Sequence, residues 1–352
     1  MEVLFDREEL ETYMARLLPT PQVLPVLLDR YLTHAVEIDV DVVADGREVL
    51  IGGIMEHVEH AGVHSGDSVC SLPAHSLEEP TLALVREQSV ALARALGVVG
   101  LMNVQFAVQD REIYLLEVNP RASRTVPFVS KAVGLPLARI GARAMMGRSF
   151  AAQGIDTRER RPRYVSVKAP VFPFLKLRGS DPILGPEMKS TGEVMGIGES
   201  FGEAYAKAQL AVGTRLPRGG TVLLSVRDRD KPAALLLARE LVARGFRLVA
   251  TRGTARYLEE HGLACPAVPK VREGRPHVVD LIINGEVDLI VNTTEGRQAI
   301  AESRAIRREA MQRKVTYYTT IAAALATLHA LDFQGGLAVR PLDRVLKEVR
   351  TP

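Results

Sequence analysis

Tyr114-Leu-Leu-Glu117-Val-Asn119-Pro120-Arg121-Ala-Ser-Arg124 reads as a strand that stops at a proline and delivers arginines just past its end. In an extended backbone, alternate side chains point the same way, so Glu117 and Asn119 share a face. One carboxylate beside neutral carbonyl-type oxygens suits a hard divalent cation and leaves positions free for nucleotide phosphates. Arg121 and Arg124 are then placed to meet phosphoryl oxygens. The chemistry expected of this stretch is phosphoryl transfer.

Residues 100–108 and 112–119 predict a hairpin around Asp110-Arg111. With its loop centred on Arg111, Gln105 stands opposite Glu117 and joins the face that carries Asn119. The alternative leaves Gln105 an ordinary polar residue on a wet strand face. Farther upstream, Val36, Ile38, Val40 and Val42 alternate with Glu37, Asp39 and Asp41. That is the pattern of a half-buried strand with an acidic face. Asp45-Gly46 supplies turn chemistry before a strand at 48–57. Further strands are expected at 1–5 and 26–31, a loop at 17–21, and helices at 7–18, 80–96 and 128–146.

Gly62-Val63-His64-Ser65-Gly66-Asp67-Ser68 predicts a tight loop whose glycines, amides and hydroxyl suit a nucleotide, with a plain surface turn as the alternative. Glu37 could accept hydrogen bonds from ribose hydroxyls or simply belong to a solvated acidic strand. Asp29 and Glu59 carry the same two readings. His57, His60, His64 and Cys70 match no recognised zinc spacing.

At 352 residues the chain has room for about two or three domains. Its 47% hydrophobic and 25% charged content is that of a soluble globular protein. A net charge of +3 is too small to imply nucleic-acid binding by bulk electrostatics. Arg158-Glu-Arg-Arg-Pro-Arg163 reads as a solvated linker. The two cysteines, Cys70 and Cys265, are too far apart in sequence to suggest a disulfide framework. With no apolar run of about 18 residues and no signal-peptide pattern, a cytoplasmic chain without a membrane partner is expected.

Prolines and the Gly-rich stretch 179–202 interrupt residues 148–213, where a helix is predicted only at 201–212. That stretch is expected to be a connector packed on the first domain. From Thr221 strands and helices alternate. Strands are predicted at 221–226, 246–251, 288–292 and 315–318, and helices at 231–244, 255–261, 297–308 and 320–330, with 278–284 left as helix or strand. This order argues for a parallel sheet wrapped by helices. The expected domains are 1–147, 148–213 and 214–352. Thr251-Arg-Gly-Thr254 and Asn292-Thr-Thr294 fall at strand ends, where open α/β folds bind ligands. With Lys231 and Lys270 they read as a site for a phosphate-type ligand, against the alternative of helix-capping threonines.

Longer runs carry a resemblance. Ala35-Val-Glu-Ile-Asp-Val-Asp41, Gly52-Gly-Ile-Met-Glu-His57, Ala61–Ser68, Gly100-Leu-Met-Asn-Val-Gln-Phe-Ala107, Glu117-Val-Asn-Pro-Arg121 and Thr125-Val-Pro-Phe-Val-Ser-Lys131 resemble the second ATP-grasp unit of the large chain of carbamoyl-phosphate synthetase. So does Leu184-Gly-Pro-Glu-Met-Lys-Ser-Thr-Gly-Glu-Val-Met195. Glu273-Gly-Arg-Pro-His277 and Asn292-Thr-Thr294 continue the likeness into that family's regulatory domain, which is similar to methylglyoxal synthase. The implied fold is α/β and α+β, a partial ATP-grasp domain followed by a parallel-sheet α/β domain.

The resemblance implies a ligase that phosphorylates carbamate with ATP to carbamoyl phosphate, for arginine and pyrimidine biosynthesis. Gln105, Glu117 and Asn119 match the family's positions for Mg²⁺ or Mn²⁺, and Arg121 and Arg124 its phosphoryl-contacting arginines. Asp29, Glu37, Gly62, His64 and Ser65 match adenosine contacts. His57, Glu59, Val63 and Ser68 lie where K⁺ is expected. Lys231, Thr251, Thr254, Lys270, Asn292 and Thr294 match a pocket for nucleotide effectors such as UMP or IMP. Glu59, Asp67 and Thr319 match positions used for ornithine, but Val167-Lys168-Ala169-Pro170 has Ala169 where the family commonly has a carboxylate.

The implied partners are the remainder of the large subunit and the glutaminase small subunit. The first residue resembles an internal family position, so the phosphate lid and one wall of the ATP cleft are expected to lie outside the chain. Little activity is expected of the chain alone. The alternatives are an effector-binding module without catalysis and another ATP-dependent carboxylate–amine ligase. The long matched runs and the final domain argue against the last.

Overall fold

Ile38, Val40 and Val42 bury one face of a strand as expected, but Glu37, Asp39 and Asp41 on its other face are buried too. The expectation of a half-buried acidic strand is therefore corrected: both sides of this strand are covered. The computed structural model describes residues 3–4, 6–17, 19, 25–174, 181–333 and 336–350.

Its first part runs α1 (Arg7–Leu17), β1 (Val36–Asp45), β2 (Val49–His60), β3 (Cys70–Leu72), α2 (Glu79–Ala95), β4 (Val99–Gln109), β5 (Glu112–Asn119), α3 (Val126–Val133), α4 (Leu137–Met145), α5 (Phe150–Gln153), β6 (Val165–Val171), β7 (Gly192–Gly198) and α6 (Phe201–Ala211). The strands form one seven-stranded sheet in the order β5-β4-β1-β2-β3-β6-β7, antiparallel at every pair. Val85 and Ala93 of α2 cover Ile38, Val40, Val42, Ile54 and Phe106 on one face. On the other face α3 and α4 bring Val129, Leu137 and Ile140 against Val43, Leu50 and Met55. Each such side chain contributes roughly 2 kcal/mol by leaving water, which fixes β1, β2 and β4 as the rigid floor of the site.

The hairpin corrects one detail of the sequence reading. Asp110 (φ 51°) and Arg111 (φ 70°) form a two-residue turn with both φ positive, so the loop is centred between them and not on Arg111. Gln109 pairs with Glu112 and Phe106 with Leu115. A bulge then skips Leu116, and Gln105 pairs with Glu117 as the sequence predicts. Two polar rows result across three strands: Asp39, Gln105 and Glu117, then Asp41, Asn103 and Asn119.

The second part comprises β8 (Thr221–Ser225), α7 (Lys231–Ala243), β9 (Arg247–Thr251), α8 (Arg252–Glu260), β10 (Ala267–Val268), α9 (Val278–Ile283), β11 (Leu289–Asn292), α10 (Gly296–Arg313), β12 (Thr316–Tyr318), α11 (Ile321–Leu331) and α12 (Leu342–Arg350). Its five strands are parallel, in the order β10-β9-β8-β11-β12. The open choice at 278–284 resolves to helix, started by a capping box between His277 and Asp280.

Several expected elements differ. No strand forms at 26–31, where Leu27 and Leu28 are exposed and no neighbouring strand pairs with them. The helix expected at 128–146 is two helices, because Gly134 takes a left-handed φ of 68° and Pro136 follows. Residues 148–213 hold α5, β6 and β7 besides α6, so they complete the first sheet. Pro170 is tolerated in β6 because β3 pairs that strand only at Ser166–Lys168, leaving the proline's missing N–H on an unpaired side. α12 has no counterpart in the sequence reading. Val3 and Leu4 are irregular, and the rest of the strand expected at 1–5, like most of the loop at 17–21 and residues 179–180, lies outside the described residues.

Candidate functional site

The end of β5 presents its polar side chains in a chain of contacts. Asn119 Nδ2 donates to Glu117 Oε1 at 2.7 Å, and Arg121 Nη2 donates to Asn119 Oδ1 at 3.2 Å. Across the ladder Gln105 Nε2 donates to Glu37 Oε1 at 3.3 Å. Gln105, Glu117 and Asn119 thus lie on one face, with Arg121 beside them and Arg124 exposed on the turn that follows. Two amide oxygens and a carboxylate form a hard-oxygen donor set that fits Mg²⁺ or Mn²⁺. Among the described residues no group of three or more His, Cys, Asp and Glu side chains stands ready as a metal cage. Mg²⁺ is commonly bound through one or two carboxylates, with waters and substrate phosphates completing its shell.

Under this face His57 lies between two acids. Its Nε2 is 3.0 Å from Asp39 Oδ2 and its Nδ1 is 3.6 Å from Glu37 Oε1. Burial by itself favours a neutral ring, but Cys70, Asp39 and Glu37 outweigh it and hold the imidazole well above its ordinary range. Burial likewise opposes a charged Asp39, yet hydrogen bonding to His57 and Asn103 and the nearby Lys168 keep its carboxyl below the usual value. Glu37 goes the other way: burial raises it more than His57 lowers it. Glu59 accepts from Val69 N at 2.6 Å, and burial pushes its carboxyl up to about 7.

The glycine-bearing loop is no surface turn. Gly62, at φ 101°, donates its amide to Glu37 Oε2 at 3.4 Å. Gly66 N donates to His64 Nδ1 at 3.0 Å, and Lys168 Nζ to the Ser65 carbonyl at 2.8 Å. His64 N donates to Gly185 O, while Asp67 accepts the amides of Lys189 and Ser190 at 2.8 and 2.9 Å. Residues 181–190 therefore strap the loop from outside, and Asp67 serves as their anchor. Glu37, Gly62, His64 and Ser65 are brought together with Val63 buried beneath them. Asp29 is exposed on the irregular stretch before β1, two residues from Tyr31, whose ring lies 3.6 Å from where a Cβ on Gly62 would sit.

A second group lies where the parallel strands β8, β9, β10 and β11 end. Thr251 occupies the N-cap position of α8 without a side-chain cap bond, and its hydroxyl donates to Thr254 Oγ1 at 3.4 Å. Thr254 Oγ1 also accepts the amide of Val226 at 3.3 Å. The N-cap of α10 is Glu295, so Thr294 caps no helix either. Lys231 Nζ reaches Asp228 Oδ1 at 2.7 Å; that contact, helped by Lys270, holds the Asp228 carboxyl below its ordinary value. Buried Asn292 donates to Ser225 O and accepts from Arg307 Nη1, each at 3.3 Å.

The sequence reading missed Asp41, Asn103, Lys168, Asp181 and Arg307. Arg307 of α10 is 1% exposed and grips Asp181 through two bonds of 2.7 and 2.6 Å, joining the strap to Asn292. A lone lysine inside the apolar run 165–171 was the one available signal for Lys168. The others are distinguished only by tertiary partners.

Residues 1–153 match the family model described as "Carbamoyl-phosphate synthase L chain, ATP binding domain", and residues 233–319 match an MGS-like domain. The carbamoyl phosphate synthase large chain of Xanthomonas campestris pv. campestris is 58% identical over 99% of this chain and 33% of its own length. That of Pseudomonas putida is 56% identical over 97% of this chain and 32% of its own. The chain thus spans about a third of the length of these relatives. Among solved structures, an L-amino acid ligase from Bacillus licheniformis overlaps with a TM-score of 0.46 at 16% identity, over 59% of this chain and 58% of that one. No helix among the described residues is long and apolar enough to cross a membrane.

Proposed function

Since the chain belongs with the carbamoyl phosphate synthase large chains and matches a C-terminal portion of them, we propose that it contributes to the phosphorylation of carbamate by ATP, yielding carbamoyl phosphate for arginine and pyrimidine biosynthesis. The observation that carries this is the shared face of Gln105, Glu117 and Asn119, ending in the arginine-bearing turn. A carbamate oxygen attacks the γ-phosphorus as the bond to the β-phosphate bridging oxygen breaks. Arg121 and Arg124 neutralise charge on the transferring oxygens, where a well-aimed donor is worth about 10²–10³ in rate. Gln105, Glu117 and Asn119 would hold Mg²⁺ or Mn²⁺, which would screen the phosphate charge. Glu37, Gly62, His64 and Ser65 form the wall for the nucleoside. Glu59, Val63 and Ser68 flank a K⁺ site. The fit is supported by Glu59, whose carboxyl is pushed up to about 7 by burial despite the nearby His57 and Lys168.

Because the chain spans about a third of its relatives, the proposed working unit includes the remainder of the large subunit and a glutaminase small subunit. The 352 residues alone are expected to make little or no carbamoyl phosphate. The test is to incubate purified chain with ATP, bicarbonate and ammonia, with and without the missing part of a relative's large chain. Product only in the reconstituted mixture, lost in Glu117→Ala, supports the proposal; product unaffected by that change overturns it.

A specific observation favours a second role. Lys231, Thr251, Thr254, Lys270, Asn292 and Thr294 all lie at or just beyond the ends of β8, β9, β10 and β11 in one parallel sheet. They are proposed to hold a nucleotide monophosphate effector such as UMP or IMP. Binding of UMP or IMP without ATP binding would mark the chain as a regulatory module.

A further inference from the structure

We propose that Asp41 is a positioning residue for the phosphoryl-contacting arginines, anchoring the turn that carries Arg121 and Arg124 through hydrogen bonds to Ser123 and Thr125. The anchor matters to catalysis only if Arg121 and Arg124 meet phosphoryl oxygens, as proposed above.

Asp41 is fully buried at the centre of β1. Its Oδ1 accepts from Ser123 Oγ at 2.6 Å and from Asn103 Nδ2 at 3.0 Å, and its Oδ2 accepts from Thr125 Oγ1 at 2.7 Å. The two hydroxyls are themselves 2.6 Å apart and bracket Arg124 in sequence. Asn103 stands opposite Asn119 in the ladder, so the same acid ties the arginine turn to the candidate cation row. A carboxylate buried on neutral donors alone is costly, and burial pushes this one up to about 6 despite three hydrogen bonds.

Thr125 supplies a second, independent sign. It occupies the N-cap position of α3, where a threonine hydroxyl ordinarily accepts an amide of its own helix for about 1 kcal/mol. Thr125 has a helical backbone (φ −77°, ψ −19°) and makes no such bond; its hydroxyl donates to Asp41. What the acid and the two hydroxyls secure together is the path of residues 123–125 around Arg124. Two exposed arginines on an unanchored turn would sample many directions, and displacements near 1 Å at a reacting centre can cost about a hundredfold in rate.

The test uses the full chain in four variants: Asp41→Asn, Ser123→Ala with Thr125→Val, Thr125→Ser, and Arg121→Ala with Arg124→Ala. Amide hydrogen exchange at 121–125 and Mg²⁺·ATP affinity are both measured. Asp41→Asn and the Ser123/Thr125 double variant are expected to speed exchange in the turn, spare β1 and β4, and weaken Mg²⁺·ATP by about tenfold. Thr125→Ser keeps the hydroxyl and is expected to match the parent. An acid acting only through its charge would make Asp41→Asn bind the anion more tightly. Parental exchange at 121–125 in both anchor variants overturns the proposal, whatever ATP does. If the double arginine variant binds ATP like a parent that binds it well, the phosphoryl role of the arginines fails, and the exchange result still decides on the anchor.

Discussion

Gln105 faces Glu117 across β4 and β5 because Leu116 is squeezed out of the ladder between them. A two-residue turn at Asp110-Arg111, continued without a bulge, would set Gln105 opposite Leu116. The bulge therefore decides which side chain completes the candidate cation site. Deleting Leu116 removes the extra residue and lets Glu117 take its place, so Mn²⁺ binding in the presence of ATP is expected to survive. Deleting Val118 turns Asn119 to the other face and is expected to weaken it. Paramagnetic titration of the two deletion variants, with circular dichroism to check folding, separates these outcomes.

How far this site was legible follows from the same hairpin. Centring the loop on Arg111 gave the right partner for Gln105 because a symmetric count cannot tell a three-residue loop from a two-residue turn followed by one bulge. The acidic alternation of β1 was legible; its burial was not. Whether Glu37, Asp39 and Asp41 meet water depends on His57, Asn103, Ser123 and Thr125, which only the fold brings near. The polar break after Asn292 reads correctly as a strand-end loop, whereas Arg252-Gly-Thr254 already belongs to α8. β6 and β7 went unseen because Pro170, which lies beyond the stretch that β3 pairs, and the glycines of 192–198 on the edge strand mask strand texture.

Arg307 and Asp181 join the second sheet to the strap over the glycine-bearing loop. Removing one partner of a buried pair leaves the other's charge uncompensated, at a cost of about 3–5 kcal/mol when both are buried. Asp181 retains 24% side-chain exposure, so Arg307→Ala is expected to fall toward the lower end of that range. Urea denaturation measures it, and replacing both residues with apolar ones of similar size should cost less than Arg307→Ala alone.

Gly196 lies where β7 meets α6, and a Cβ there would sit 2.1 Å from the Ala204 carbonyl oxygen and 2.6 Å from the Ala208 nitrogen. Since those atoms are backbone, Gly196→Ala must push the helix off the strand and is expected to cost about 3 kcal/mol or more. Gly192, on the same strand, has open space around its Cβ position. Gly192→Ala should leave the melting temperature nearly unchanged.

Glu59 titrates near 7 in the fold, against an ordinary value of 4.5. A carboxyl whose folded pKa is raised contributes stability that is whole below the unfolded value and lost as pH climbs through the folded one. Between about pH 5 and pH 8, in K⁺-free buffer, the parent should therefore lose stability relative to Glu59→Gln. K⁺ at its proposed site favours the charged carboxylate and should narrow that difference at about pH 8. Melting curves of both proteins with K⁺ or Na⁺ provide the comparison, and identical pH profiles would remove Glu59 from the account.

The most direct measurement is electron paramagnetic resonance of Mn²⁺ added to the chain with ATP, comparing the parent with Gln105→Ala, Glu117→Gln and Asn119→Ala. The account requires a protein-bound Mn²⁺–ATP signal in the parent that weakens in each variant, most in Glu117→Gln. A bound signal of equal strength in all four proteins would place the cation elsewhere and contradict it.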